Sequence, residues 1–209
     1  MKRLALFGAS GHGKVVADAA LAAGWHSVVF FDDGWPQVRQ NRHWPVVGDF
    51  SALTGGAHDF DAALVSIGNC AVRWQKQQGL LAAGIALATV VHPRACISQF
   101  AQLGAGTVAM AGAVVNVDAV IGEGCIINTA ATIDHDCMLA HGVHVSPGAH
   151  LSGNVTVGAC SWIGVGASVR QGISIGAGAM VGAGAVVVRQ VPDNVTVVGC
   201  PAAVRGAGS

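Results

Sequence analysis

Residues 115–150 read VNVDAV IGEGCI INTAAT IDHDCM LAHGVH VSPGAH, and the same six-residue period runs without a gap from residue 91 to residue 186. Every unit begins with an aliphatic residue or alanine, and its fifth place is nearly always small. One unit cannot bury its own apolar residue, but stacked coils pair their strands about 4.8 Å apart and align equivalent side chains in ladders. The period therefore predicts a parallel β-helix.

A glycine- and alanine-rich linker is the alternative interpretation of this stretch. It is rejected because a linker does not keep an aliphatic register for ninety-six residues. The repeat resembles that of hexapeptide-repeat acyltransferases, in which three units form one triangular coil. The resemblance implies a left-handed β-helix, and the repeat would then supply about five coils.

The first ninety residues have the pattern of a small α/β domain with a parallel sheet. Apolar runs alternate with helical segments in the order 3–7, 14–23, 27–31, 62–67 and 73–83. Between them, residues 33–50 have no periodicity and are expected to form a loop. The predicted organisation is an α/β domain at residues 1–90, followed by the β-helix and a C-terminal tail at residues 91–209.

Three features lie beyond the carboxyl ends of the predicted strands, where open parallel sheets bind ligands. They are the GASGHG loop at residues 8–13, the pair Asp32 and Asp33, and the turn at Gly68. Amides at a helix start bind phosphate or ribose, and carboxylates accept hydrogen bonds from a base or sugar hydroxyl. We therefore expect a nucleotide pocket; a tight turn with a solvated strand end is the simpler alternative.

A dinucleotide-dependent oxidoreductase is a less favoured interpretation of the same loop. The spacing is G-x-x-G-x-G rather than the dinucleotide fingerprint, and ninety residues leave no second mononucleotide-binding half. Hydride chemistry is therefore not expected.

Charge is sparse in the repeat, which carries six of the chain's twenty-two charged side chains. This predicts that identical copies cover the outer faces, although an uncharged, solvated surface would also fit. The net charge is zero and no basic stripe occurs, so nucleic acid is not an expected partner. No membrane span or signal peptide is predicted, and a cytoplasmic protein is expected.

Four histidines, His135, His141, His144 and His150, avoid the inward places of the repeat and are expected to face outward or lie at corners. Asp134 and Asp136 flank His135, and a carboxylate both raises the basicity of an imidazole and fixes its tautomer. Because neighbouring strand residues point to opposite faces, Asp136 is expected to act through a turn or a water. The pattern favours a general base; a polar outer face is the alternative.

Zinc is a second possible use of this histidine cluster. Carbonic anhydrases of the same architecture bind zinc through three histidines, two of them separated by four residues. The separations here are five, two and five, so no metal is predicted. Cys125 and Cys137 occupy the small fifth place and are expected to be interior and inert.

Five motifs, GASGHGKVV, FDD, IGN, INTAATIDHDC and VVGCPAAVRG, resemble those of bacterial nucleotide-sugar N-acetyltransferases of the hexapeptide-repeat superfamily. Relatives of this kind act on 4-amino-4,6-dideoxy sugars in bacillosamine and perosamine synthesis or occur in sialic-acid loci. The similarity covers essentially the whole chain. It implies acetyl-CoA as co-substrate, a UDP- or GDP-linked amino sugar as substrate, and a homotrimer with active sites between subunits.

The resemblance also assigns roles to residues. It makes His135 the general base and Asp136 its partner, with direct transfer of the acetyl group. Its implied substrate-binding residues are Ser10, Gly11, His12, Asp32, Asp33, Gly68 and Asn128. Its implied acetyl-CoA contacts are His144, near the thioester, and Gly153, Val165 and Ala183; the amide of Gly153 would stabilise the oxyanion. Sugar O-acetylation and a non-catalytic nucleotide-sugar-binding trimer remain alternatives.

Overall fold

The computed structural model of the chain describes residues 2–56 and 59–205, so residues 206–209 of the predicted tail lie outside the described residues. The N-terminal region is a three-stranded parallel sheet with strand order β2-β1-β5. Its elements are β1 (Arg3–Phe7), α1 (Gly11–Ala22), β2 (Ser27–Phe31), β3 (Gln40–Asn41), β4 (Trp44–Pro45), α2 (Phe50–Gly55), β5 (Ala62–Val65) and α3 (Cys70–Ala82).

The sheet forms where apolar runs can be buried on both sides. Leu4 and Leu6 point into one cluster with α1, whereas Ala5 and Phe7 point into a second cluster on the other side of the sheet. The predicted bounds of β1 and β2 are confirmed, while both long helices begin three residues earlier than predicted. For α3 the reason is Asn69, whose side chain accepts a hydrogen bond from the backbone N–H of Val72 at 3.0 Å and so caps the helix.

The segment predicted as a loop at residues 33–50 is more ordered than expected. Strands β3 and β4 pair as a short antiparallel hairpin, and α2 begins at its end, where the Asp49 carboxylate accepts from Ala52 N at 2.8 Å. Trp44 contacts the ring of Phe30 edge to face, with 6.2 Å between ring centroids. This contact fixes the hairpin against the sheet.

The remaining chain is a parallel β-helix with three faces, visited in turn. The first face contains β6 (Val90–Val91), β9 (Val108–Ala109), β12 (Ile126–Ile127), β15 (His144–Val145), β18 (Trp162–Ile163), β21 (Met180–Val181) and β23 (Thr196–Val198), with β24 (Ala203–Val204) antiparallel at its edge. The second contains β7 (Cys96–Ile97), β10 (Val114–Val115), β13 (Thr132–Ile133), β16 (His150–Leu151), β19 (Ser168–Val169) and β22 (Val186–Val187). The third contains β8 (Gln102–Leu103), β11 (Val120–Ile121), β14 (Met138–Leu139), β17 (Thr156–Val157) and β20 (Ser174–Ile175).

Partners in the ladders are eighteen residues apart, as Ile133 and Leu151 illustrate. The interior is filled by the first and fifth residues of each unit, and Cys125 and Cys137 are buried there as predicted. The expected left-handed parallel β-helix is confirmed. It has about six coils rather than five, because β23 adds a strand to the first face beyond the end of the regular repeat.

We name the corners by the faces that they join: the first corner joins the first and second faces, the second corner the second and third, and the third corner the third and first. The N-terminal region packs on the first face, where Val108, Met110 and Ile126 share a buried cluster with β1 and α1. Within residues 2–56 and 59–205, no helix has the length and apolar character needed to cross a membrane.

Candidate functional site

His135 lies at the second corner and is paired directly with the residue that follows it. Its Nδ1 is 2.6 Å from Oδ2 of Asp136, so neither a water nor a longer turn is needed between them. The contact arises because Asp136 adopts a left-handed backbone conformation, with φ of 59°, which turns its side chain back toward the imidazole. With the Nδ1 proton directed at the carboxylate, Nε2 is the free basic nitrogen.

Two carboxylates tune this corner. The hydrogen bond to Asp136 raises the pKa of His135 above its ordinary value of 6.5, and the charge of Asp134 adds to the effect. Asp134 accepts hydrogen bonds from the backbone N–H of His135 at 2.9 Å and from Asn116 Nδ2 at 2.9 Å, which lower the pKa of its own carboxyl. More than half of the His135 side chain is exposed to solvent.

Gly153 lies one coil above His135 at the same corner and gives the imidazole its place. A Cβ at Gly153 would come within 2.5 Å of Nε2 of His135, so the ring fits only because residue 153 has no side chain. The backbone N–H of Gly153 makes no hydrogen bond to another described residue of the chain. The predicted neighbours His135, Asp136 and Gly153 are thus brought together.

His144 is in the opposite environment: it lies outside the interior of the β-helix, as predicted, but it is not exposed there. Only 6% of the residue is accessible, because the N-terminal region covers the first face there. Its ring stacks on Trp162 with 4.6 Å between centroids, and the ring of His12 lies 6.2 Å away. Burial, and then the charge of Arg73, lower the pKa of His144 to about 3.

Asn128 determines which tautomer His144 carries. The Oδ1 of Asn128 accepts from the backbone N–H of Thr129 at 2.8 Å, which directs Nδ2 toward His144 at 3.2 Å. An amide nitrogen can only donate, so Nε2 of His144 must accept and the ring proton must be on Nδ1. That buried Nδ1 has no described atom in hydrogen-bonding geometry, although the backbone of Gly68 lies close enough to the ring to oppose the lowering of its pKa.

The other two histidines differ from this pair. His141 is partly buried and stacks on Trp74 of α3 with 4.0 Å between ring centroids. His150 is exposed, as expected, and its Nδ1 lies 2.8 Å from the hydroxyl of Thr132.

The predicted nucleotide loop lies beyond the carboxyl ends of the sheet, where α1 begins. Ser10 and Gly11 are exposed there, and no described atom lies within 4 Å of the position that a Cβ on Gly11 would occupy. His12 faces His144; burial, and then Arg73, lower its pKa to about 4, and its Nε2 has no partner among the described residues. Gly68 lies on the same side, at the turn after β5.

The two aspartates that follow β2 already have partners in the chain. Asp32 accepts from the backbone N–H of Ala9 at 2.7 Å and of Gly34 at 2.8 Å, so it shapes the loop. Asp33 is bound to Lys76 of α3, with 2.7 Å between carboxylate oxygen and ammonium nitrogen, and half of its side chain is exposed.

Arg73 is a buried residue that the sequence did not single out, and only 1% of it is accessible. Its guanidinium donates to five backbone carbonyl groups and has no carboxylate partner among the described residues. The acceptors are Ile67 at 2.8 Å, Gly68 at 2.9 Å, Gly124 at 2.7 Å, Gly142 at 2.7 Å and Val143 at 3.4 Å. An arginine in the first turn of a polar helix gives no sequence signal for this role.

The predicted site residues separate into two groups within one chain. Asn128, Val165 and Ala183 follow strands of the first face and stack at the first corner, beside His144. His135, Asp136 and Gly153 are at the second corner, which is the edge of the prism opposite the first face. One chain therefore does not bring His135 to the nucleotide loop.

A pocket of about 490 Å³ opens between the start of α3 and the upper coils at the third corner. Its walls include Asn69, Cys70, Cys160, Trp162 and Met180, and it was not predicted from the sequence. All six cysteines are free thiols. In the part of the chain that the structure describes, no group of three or more His, Cys, Asp or Glu side chains is placed to hold a metal ion.

Known proteins match nearly the full length of the chain, in sequence and in structure. Residues 3–80 match the family described as the PglD N-terminal domain. The acetyltransferase domain of PglB from Neisseria gonorrhoeae FA1090 is 44% identical, with a TM-score of 0.94 and coverage of 98% of this chain and 100% of that one. The same domain has also been solved in complex with acetyl coenzyme A.

The descriptions of two further relatives name a nucleotide-linked sugar. PerB from Caulobacter crescentus, solved in complex with CoA and GDP-perosamine, is 38% identical, with a TM-score of 0.91 and coverage of 99% of this chain and 98% of that one. The UDP-N-acetylbacillosamine N-acetyltransferase of Bacillus subtilis (strain 168) is 39% identical over 120 residues. That match spans 53% of this chain and about half of the curated relative, 52% of its length.

Proposed function

The chain belongs to the hexapeptide-repeat family of bacterial nucleotide-sugar N-acetyltransferases, and we propose that it transfers the acetyl group of acetyl-CoA to the 4-amino group of a nucleotide-linked 4-amino-4,6-dideoxy sugar. The observation that carries the proposal is the pairing of His135 with Asp136 at an exposed corner. Family membership supplies the substrate class, and this corner supplies a base suited to it.

His135 is proposed as the general base. Asp136 holds Nδ1–H and leaves Nε2 free, and the raised pKa makes the imidazole a better proton acceptor near neutral pH. A sugar ammonium must lose one proton before its nitrogen can attack, and the amine loses a second proton as the amide forms; an exposed imidazole can accept such a proton and exchange it with solvent. This role contributes typically about 10² to 10⁴ in rate.

The reaction is proposed to be direct. The amine nitrogen forms a bond to the acetyl carbonyl carbon, His135 accepts the nitrogen's proton, and the carbon–sulfur bond breaks to release CoA thiolate. The thiolate then takes up a proton from the His135 imidazolium or from solvent, which gives the CoA thiol and the free base. The N–H of Gly153, a residue beside the His135 ring, has no partner among the described residues and is proposed to donate to the carbonyl oxygen as negative charge builds on it. No Ser or Cys nucleophile is required, and burial raises the pKa of the nearby Cys137 thiol.

Acetyl-CoA fits the chemistry of the first corner. Val165 and Ala183 present small or apolar surface there, with more than half of Val165 exposed. His144 offers a buried Nδ1–H without a partner, which is a donor that a ligand carbonyl or hydroxyl can satisfy. These residues would bind and orient the co-substrate.

The nucleotide sugar is proposed to bind at the loop before α1. Ser10, Gly11 and the start of α1 supply backbone N–H groups for phosphate, and Asp33 is exposed enough to accept from a ribose or base. Asp32 acts by holding the loop through Ala9 N–H. His12 and Gly68 line the side facing His144, and Asn128 orients His144 from the first corner.

A homotrimer completes this proposal. Because His135 and the nucleotide loop are on opposite sides of one prism, each active site would combine the second corner of one copy with the first corner and N-terminal region of the next. The scarcity of charge on the repeat supports contact between copies.

The activity test mixes purified protein with acetyl-CoA and a UDP- or GDP-linked 4-amino-6-deoxy sugar and follows release of free thiol. Thiol release that requires the amino sugar is the expected result. Release only with a hydroxyl acceptor would favour sugar O-acetylation, and binding of the nucleotide sugar without any release would favour a non-catalytic trimer.

A complementation test addresses the shared site. His135→Ala removes the base, whereas Gly11→Trp fills the nucleotide loop at a position where the fold leaves space. When the two inactive variants are unfolded together and reassembled, random mixing should restore about a quarter of the wild-type rate. No recovery in mixed trimers would contradict a site made by two copies.

A further inference from the structure

A column of glycines at the third corner is the place where α3 meets the β-helix. Gly106, Gly124 and Gly142 stack there, each with positive φ. Added Cβ atoms at Gly106 and Gly124 would collide with Gln77 of α3, whereas one at Gly142 would meet the thiol of Cys160 at 3.0 Å. Gln77 occupies the space above Gly106 and Gly124, and Arg73 donates to the carbonyls of Gly124 and Gly142. The glycines therefore leave a channel for the polar side chains of one helix.

The contact continues over four successive coils, which are about 4.8 Å apart. Gln77 donates to the carbonyl of Ala105 in the first coil, and Arg73 donates to the carbonyls of Gly124 and Gly142 in the second and third. The thiol of Cys70 lies 3.7 Å from the carbonyl of Ser161 in the fourth. Arg73 is the central member of the three.

The charge of Arg73 is confined to a region without a buried anion. The titratable groups that feel its charge are the imidazoles of His12 and His144, which face it from α1 and β15, and the thiols of Cys125 and Cys160. Burial raises the pKa of both thiols, so neither supplies a negative charge. The aspartates of the N-terminal region are turned elsewhere, Asp32 toward Ala9 and Gly34 and Asp33 toward Lys76. An imidazolium at either position would therefore meet a like charge and find no carboxylate to offset it.

The hydrogen bond with Asn128 is a second reason, besides the charge of Arg73, why His144 does not become protonated. Asn128 already directs an N–H at Nε2, so a proton on that nitrogen would place two donors against each other. The carbonyls of Gly142 and Val143, immediately before His144 in the chain, are held by the same guanidinium that holds the carbonyl of Gly68. Arg73 thus links the predicted nucleotide turn to the strand that carries His144.

We infer that Arg73 is a positioning residue of the proposed acetyltransferase site, where its guanidinium ties the Gly68 turn to the strand of His144 and places a fixed positive charge beside His12 and His144. Burial is the larger reason that both imidazoles are neutral, and the charge of Arg73 adds to it. The pair presents one buried donor nitrogen, Nδ1 of His144, and one buried nitrogen without a partner among the described residues, Nε2 of His12. A ligand hydroxyl or carbonyl can use such groups. The inference rests on the proposed function for its consequence in binding.

The test follows histidine ring signals by NMR during a pH titration of the protein without substrates. In the wild-type protein, the rings of His12 and His144 should not titrate above about pH 5, since burial and a neighbouring positive charge both oppose protonation. In Arg73→Gln, both midpoints should move upward by about one pH unit or more. In Arg73→Lys, which keeps the charge, they should stay low.

Measuring nucleotide-sugar binding distinguishes the effect of the Arg73 hydrogen bonds from the effect of its positive charge. Both Arg73 variants lose part of the five-bond arrangement, so affinity for the nucleotide sugar, measured by calorimetry, should fall about tenfold or more. Gln77→Met is the matched control, because it removes a buried polar side chain from the same helix and corner without changing charge. It should lower Tm but leave the imidazole titration unchanged.

Two outcomes would overturn the inference. One is a folded Arg73→Gln protein whose rings titrate as in the wild type. The other is a wild-type protein in which His12 and His144 titrate near 6.5, a result that decides the matter even if Arg73→Gln does not fold. Because the titration needs no substrate, an absence of acetyl transfer would count against the proposed function and leave this result intact.

Discussion

His135 at the second corner and His144 on the first face are nine residues apart in the repeat, but they differ in exposure and in the direction in which their pKa is shifted. His135 is exposed, bonded to a carboxylate, and has a raised pKa. His144 is covered by the N-terminal region, faces an arginine charge, and has a pKa lowered to about 3. The difference teaches that the β-helix supplies only positions, whereas the neighbours brought by turns and by the N-terminal region decide what an imidazole can do.

The two states suit different tasks. A proton acceptor must change charge during a reaction, and contact with solvent and a carboxylate make that change easy at His135. A hydrogen-bonding group that reads a ligand must not change charge, and burial beside Arg73 prevents it at His144. The predictions below test this division, beginning with the largest expected effect.

Replacing His135 by alanine should reduce kcat by about 10² to 10⁴ because the general base is lost, while binding of the nucleotide sugar should change little. Steady-state kinetics and calorimetry together check both parts. His92→Ala is the control, since His92 is a β-helix residue whose Nδ1 accepts only a local hydrogen bond from Arg94 N at 3.0 Å. Activity of the His135 variant within tenfold of the wild type would show that another group acts as the base.

The buried pair should make stability depend on pH in a defined direction. Unfolded imidazoles titrate near 6.5, but His12 and His144 in the folded protein titrate near 4 and 3, so only the unfolded state gains protons between these values. The free energy of unfolding should therefore be complete above about pH 7 and fall on acidification, by about 2 kcal/mol per imidazole at pH 5.

Urea unfolding at pH 8 and pH 5 measures this effect, and His144→Gln isolates it from the titration of carboxylates. The variant should lose the share of the pH dependence that belongs to one imidazole. An unchanged difference between the two pH values would mean that His144 is not held neutral in the folded state. His135, whose pKa is raised, acts in the opposite direction and is too exposed to contribute much.

Asp136→Asn tests whether the carboxylate at the second corner raises the pKa of His135. Without the carboxylate the pKa of His135 falls, so the acid limb of the profile of kcat/KM against pH should move to lower pH. The plateau rate should also drop about tenfold, because the imidazole becomes less basic and its tautomer is less firmly held. Asp118→Asn, at another left-handed turn of the repeat, is the control. An acid limb at the same pH as in the wild type would show that Asp136 does not set the pKa of the catalytic base.

Gly153→Ala should have the smallest effect. The added methyl group would crowd Nε2 of His135 and displace the ring, which is expected to lower kcat a few-fold while Tm changes little. Gly55→Ala, where no described atom is near the added Cβ, serves as the control. Full activity in the Gly153 variant would indicate that the imidazole has room to work elsewhere.

Sequence periodicity was sufficient to predict the β-helix, because each aliphatic residue of the repeat has its partner one coil away and no distant residue is needed. The ends of β1 and β2 were predictable for a similar reason, since apolar runs bounded by glycine or aspartate are local signals. The sequence predicted that Asp136 acts on His135, but through a turn or a water rather than by direct contact. The direct contact depends on a positive φ at Asp136, which no side-chain pattern specifies.

What the sequence did not predict depends on how the N-terminal region docks. The burial of His144, the stack of His141 on Trp74, and three of the five hydrogen bonds of Arg73 join residues far apart in the chain. A polar helix carries no sign of which coils it will follow. The glycines of the third corner were visible in the repeat, but glycine at a turn usually serves backbone conformation rather than a partner helix.

The contact between α3 and the third corner also fixes the height at which the N-terminal region sits on the prism. From Cys70 to Gln77 the helix rises about 10 Å, whereas the four coils that these residues contact span about 14 Å. The long side chain of Arg73 makes up the difference, because it donates to the carbonyls of two coils. Inserting one eighteen-residue coil between Gly124 and Gly142 would separate the two carbonyls that Arg73 holds.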